Sequence, residues 1–108
     1  MRVYYLDDEQ HLLDLVREYL QQSEVDIEVF SSSSDFLARI DDQPASIVIV
    51  DYRLPDTNGL EICRKIDGIP KILVTGELDI EVDDESITVL PKPFRLSVLR
   101  QLLTELVH

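Results

Sequence analysis

The sequence predicts an α/β domain built on a parallel sheet with helices on both faces. Three observations predict it. Short β-branched or aliphatic runs alternate with stretches of helical period along the whole chain. Most of the intervening stretches are long enough to cross back and start a parallel strand. The third run, Ile47-Val48-Ile49-Val50, is apolar without interruption, as a central strand buried on both faces must be.

The elements follow in order. The first run, Val3–Leu6, ends in Asp7-Asp8-Glu9. Leu12, Leu13, Leu15, Val16, Tyr19 and Leu20 then give a broad apolar face to a helix over 9–22. Asp26–Phe30 reads as the second strand. Ser31–Ser34 offers several N-caps for a helix over 34–41, which carries Phe36, Leu37 and Ile40. Ser46–Val50 is the third strand. The turn residues Leu54-Pro55-Asp56-Thr57-Asn58-Gly59 separate it from a short helix over 59–67 with Leu60, Ile62, Cys63 and Ile66. Lys71–Val74 and Ser86–Leu90 are the fourth and fifth strands. Leu96, Leu99, Leu103 and Leu106 recur at helical spacing and predict a final amphipathic helix.

The fourth crossover is different. The ten residues Gly76 to Glu85 lie near the lower limit of about 10–12 for a parallel connection. Leu78, Ile80 and Val82 alternate there with Glu77, Asp79, Glu81 and Asp83. That period of two predicts a short turn or irregular structure in place of a full helix.

Composition bounds the function. A chain of 108 residues is one domain's worth, and residues 1–108 are expected to form a single domain. No repeat or linker is read, and with His108 straight after the last helix no room is expected for a second domain in this sequence. Twenty-two Asp and Glu face ten Lys and Arg, a formal net charge of −12. So acidic a surface repels phosphate backbones and anionic lipid, which argues against direct binding to nucleic acid or membrane. No apolar run approaches the ~20 residues of a membrane span. The first six residues are too short and too soon interrupted by acid for a signal peptide, so a cytoplasmic location is expected. Cys63, the only cysteine, excludes an intrachain disulfide and a thiolate zinc site, and reads as a packing residue.

In an open parallel sheet, ligands bind beyond the carboxyl ends of the strands, where strand order reverses. For a flavodoxin-like order 2-1-3-4-5 that point lies between strands 1 and 3. Strand 1 runs out into Asp7-Asp8, strand 3 into Asp51, strand 4 into Thr75 and strand 5 towards Lys92. Singly, each has an ordinary explanation: Asp8 as a helix N-cap, Asp51 as the opening of a turn, Lys92 as part of a surface loop. Independent caps have no reason to converge on one crevice, so the joint reading is a site. Three carboxylates without counter-charge repel, and a hard divalent cation relieves that. Mg²⁺ suits the oxygen donors, and Mn²⁺ or Ca²⁺ would substitute. Asp51 is then placed as a carboxylate nucleophile towards phosphorus, with the Lys92 ammonium and the Thr75 hydroxyl on the phosphoryl oxygens. No Gly-rich phosphate loop points to a nucleotide donor.

These residues resemble the receiver domain of two-component response regulators over the whole length of the chain. The matching pieces are Leu6-Asp7-Asp8-Glu9, Ile49-Val50-Asp51-Tyr52-Arg53-Leu54-Pro55 with Gly59, Val74-Thr75-Gly76, and Pro91-Lys92-Pro93-Phe94. The resemblance implies a flavodoxin-like (βα)5 three-layer sandwich whose fourth helix is here short or irregular. It implies that Asp51 accepts a phosphoryl group from the phosphohistidine of a histidine kinase or phosphotransfer protein. Asp8, Asp51 and the backbone carbonyl of Arg53 would ligate Mg²⁺, and Asp7 would act through metal-bound water. Lys92 would contact the phosphoryl group, with a cis Lys92–Pro93 bond, and Thr75 would be the switch hydroxyl. A downstream protein or effector domain would read the face of the fourth crossover, fifth strand and last helix, through which a homodimer is also allowed. Such a domain is no enzyme in the ordinary sense, catalysing only its own phosphoryl transfer and dephosphorylation.

Two departures stand out. The family usually has Tyr or Phe three residues before the lysine, where this chain has Val89, and no aromatic lies between 76 and 93. The Thr75-to-Lys92 segment is also shorter than usual. These features keep a non-phosphorylated docking module as the alternative. A phosphatase of the haloacid-dehalogenase type would need a second acid two residues after Asp51, where Arg53 stands, and a longer chain. Arg53 and Glu77, leaving neighbouring strand ends, are expected to form an ion pair that gates water. His11, on the first helix, is expected at the surface.

Overall fold

A computed structural model describes residues 1–77 and 79–107; Leu78 and His108, named above in the fourth crossover and at the chain end, lie outside the described residues. Five strands, β1 (Arg2–Leu6), β2 (Asp26–Phe30), β3 (Ile47–Asp51), β4 (Lys71–Thr75) and β5 (Ile87–Pro91), form one parallel sheet in the order β2-β1-β3-β4-β5. Four helices accompany them among the described residues: α1 (Gln10–Leu20), α2 (Ser33–Asp42), α3 (Gly59–Arg64) and α4 (Leu96–Leu106). The α/β class, the strand order and the irregular fourth crossover are as the sequence predicts.

Alternation along each strand builds two cores. Val3 and Tyr5 of β1, with Ile47, Ile49, Ile72 and Val74, pack against Leu13 and Val16 of α1 and Leu99 and Leu103 of α4. Tyr4 and Leu6, with Val48, Val50 and Leu73, face Phe36 of α2 and Ile62 and Cys63 of α3. Cys63 is buried, and burial pushes its thiol up to about 12, so it is a packing group. His11 is exposed on α1.

Local chemistry sets the helix ends. The Ser32 hydroxyl accepts the Asp35 N–H at 3.3 Å, and the Asn58 side-chain oxygen accepts the Glu61 N–H at 3.0 Å. The third helix stops at Arg64, short of residue 67, because Lys65 and Ile66 close tighter turns onto Ile62 and Cys63. Among the described residues no helix lies in the connection between β4 and β5. Ile80 and Val82 of the crossover are half-buried there instead, against the same core as Leu73. They do not reach Val89, which stays 38% exposed on edge strand β5.

Candidate metal and phosphoryl site

The carboxyl ends of β1 and β3 lie side by side, with Leu6 opposite Val50. Asp7 follows β1, and Asp51 is the last residue of β3. Asp7, Asp8 and Asp51 each offer a carboxylate oxygen, all within 4.8 Å of one another. Asp7 is fully buried, Asp51 is buried and Asp8 is exposed. Asp8 caps nothing: the N-cap position of α1 is Glu9, with no side-chain cap. The donor set is all hard oxygen, which fits a Mg²⁺-like cation better than a thiophilic metal.

Lys92 reaches in from the loop after β5. Its Nζ lies 3.0 Å from Asp51 Oδ1 and 3.6 Å from Asp7 Oδ2. Lys92 thus pairs with two of the three carboxylates, and the balance stays negative. Asp51 responds with a carboxyl pushed up to about 6, chiefly by burial, with the Lys92 hydrogen bond opposing and the Asp7 charge adding. For Lys92, burial works against the charge, but the Asp51 hydrogen bond and the Asp7 charge outweigh it and raise its pKa. The Lys92–Pro93 bond is cis, as the resemblance implies.

Thr75 ends β4, buried, one residue beyond the Val74–Asp51 pairing. Its Oγ1 accepts the Glu77 N–H at 2.9 Å. Arg53 pairs in a bridge with Asn58, and its exposed guanidinium donates to Glu77, so the expected ion pair is present. Gly59 closes the site from below. A Cβ there would collide with the Asp51 carbonyl oxygen and lie 2.8 Å from Leu73 Cδ1, so only glycine lets α3 start this close.

Sequence reasoning missed Tyr5. Its hydroxyl donates to Asp7 Oδ2 at 2.9 Å from a fully buried position. The signal was present: a phenol in a buried strand needs a polar partner, and residue i+2 on the same face is Asp7.

Comparison with known proteins is consistent with this geometry. The family model described as "Response regulator receiver domain" matches residues 3–104. Regulatory protein VanR of Enterococcus faecium is 35% identical across 87% of this chain and 44% of its own length. The chain spans about a quarter to a half of the length of the curated relatives it matches. Among solved structures, the receiver domain of the hybrid histidine kinase CckA superposes with a TM-score of 0.87 at 16% identity, covering 100% of both chains. The chemotaxis response regulator CheY4 of Vibrio cholerae gives 0.85 at 20% identity over 98% of each. These structural likenesses speak for the fold, and the family match for the lineage: the chain belongs to the response regulator receiver domain family.

Proposed function

We propose that this chain is a phosphoacceptor receiver, in which Asp51 takes a phosphoryl group from the phosphohistidine of a histidine kinase or phosphotransfer protein. The observation that carries it is the acid cluster with Lys92 at 3.0 Å from Asp51. An Asp51 oxygen forms a bond to phosphorus while the bond from phosphorus to the donor's ring nitrogen breaks, and its electron pair returns to the imidazole. Lys92 follows the oxygens of the transferred group, and Thr75 turns its hydroxyl to the same group. Asp8, Asp51 and the Arg53 carbonyl would hold Mg²⁺, with Asp7 acting through metal-bound water. When bound, the ion neutralises phosphoryl charge that the acids would otherwise repel.

An apolar cleft of about 340 Å³ runs from Lys92 past Leu12 and Leu15 of α1 to Phe94 and Leu96. Lys92, which lines it, stands 3.0 Å from Asp51, so a donor protein bringing phosphohistidine to Asp51 lies over it. On the output side, Thr75 gives up the Glu77 N–H when it turns inward, which frees the segment after β4. A downstream protein, an effector domain or a second copy would read that change on the crossover, β5 and α4. No described helix is long and apolar enough to cross a membrane.

Incubation with a small acyl phosphate or amidophosphate and Mg²⁺, followed by intact-mass measurement, tests the reading. We expect a gain of one phosphoryl group in the wild type and none in Asp51→Asn. No gain in the wild type would instead favour a docking module, a reading to which the uncovered Val89 lends support.

A further inference from the structure

The roles above leave one buried polar group at the site unused, the Tyr5 hydroxyl. Asp7 directly follows β1 and continues its direction, two residues on from Tyr5, so the two side chains leave the chain on the same side. The ring is fully buried in the core that also holds Leu13, Val16 and Leu99, and close packing there leaves it little room to shift. Among the described residues its hydroxyl has a single partner, Asp7 Oδ2 at 2.9 Å.

Asp7 is therefore gripped from both ends. Oδ1 accepts the Glu9 N–H at 2.9 Å and Oδ2 accepts the Tyr5 O–H. This fixes the plane of the carboxylate before any ligand arrives. It also bears on Lys92, which stands 3.6 Å from Asp7 Oδ2 but 3.0 Å from Asp51. Without the phenol, Oδ2 would be a buried anionic oxygen with only the Lys92 ammonium to compensate it. The two acids would then compete for one cation.

We propose that Tyr5 is a positioning residue of the metal site, orienting Asp7 towards metal-bound water and leaving Lys92 to Asp51. The inference rests on the reading of the acid cluster as a Mg²⁺ site. Partners of this kind around metal-site groups are typically worth about 10–100-fold in metal affinity or activity.

The test is a Mg²⁺ titration of wild type, Tyr5→Phe and Tyr5→Leu, followed by backbone amide shifts at residues 7–9 and 51–53. Tyr5→Phe keeps the ring and removes only the hydroxyl. We expect its Kd for Mg²⁺ to rise about tenfold while the shift pattern stays that of a folded sheet. Tyr5→Leu should show a similar Kd with a lower melting temperature. A wild-type Kd in Tyr5→Phe, with loss only in Tyr5→Leu, would make Tyr5 a packing residue and overturn the proposal. A wild type that shows no Mg²⁺ response overturns the metal-site reading and this inference together, and that result is distinguishable because it needs no variant.

Discussion

At the scale of single residues, Asp51 carries the conflict of the site. A nucleophilic carboxylate must be ionised, yet burial favours its neutral form and holds its pKa at about 6 in the metal-free protein. The folded chain therefore keeps this proton to higher pH than the unfolded chain does, so protonation stabilises the fold. The contribution is fully present below the ordinary carboxylate range near 4 and is lost as pH rises through about 6. Its size is on the order of 3 kcal/mol. Urea unfolding in EDTA between pH 4 and 7 should show stability falling faster with pH in the wild type than in Asp51→Asn. Parallel pH dependences in the two proteins would remove the burial argument. Lys92 moderates the conflict without abolishing it, because Asp7 and Asp8 still face Asp51 across less than 5 Å.

At the scale of elements, the connection from β4 to β5 sets this chain apart. Glu77, Asp79, Glu81, Asp83, Asp84 and Glu85 leave it without a basic residue, and Ile80 and Val82 are its purchase on the core. Among the described residues it is tied to the site at two points, the Glu77 N–H on Thr75 and the Glu77 carboxylate on Arg53. The Arg53 side chain is 81% exposed, so the ion pair is a rim contact worth about 1 kcal/mol or less. If it restricts water at the acyl phosphate, Glu77→Ala should speed loss of the phosphoryl group by up to roughly fivefold. Intact-mass measurement over time after removal of the donor checks this, and an unchanged rate would exclude the gate. A strong slowing would instead mean that Glu77 itself orients the attacking water.

For the molecule as a whole, the excess of acid and the metal reading are linked. Three of the carboxylates behind the net charge of −12 are forced together by the sheet order, and their repulsion weakens the metal-free fold. Mg²⁺ binding only to the native state adds RT ln(1 + [L]/Kd), about 2.7 kcal/mol at a hundredfold excess over Kd. The melting temperature should therefore rise by several degrees from EDTA to saturating Mg²⁺. Scanning calorimetry at fixed ionic strength separates this from general screening, with equal sodium chloride as the control. Identical melting in EDTA and Mg²⁺ would rule out a metal site here.

Much of this protein was legible in one dimension. Uninterrupted apolar runs name buried parallel strands, and the acids and the lysine fall directly after them, so Asp7, Asp8, Asp51 and Lys92 could be assigned to one crevice from chain order alone. The two-residue period of the fourth crossover was also readable, because a missing helix leaves a missing 3.6-residue pattern. Contacts whose geometry depends on packing were not. Local period places Tyr5 and Asp7 on one face, but nothing in the string of residues says that Lys92 stands nearer Asp51 than Asp7. Nor does it say that Gly59 must pass against the Asp51 carbonyl. Sequence patterning determines which face each residue takes, since that follows from local period. Only the folded sheet decides distances between residues on different strands, since those come from how two cores close around it.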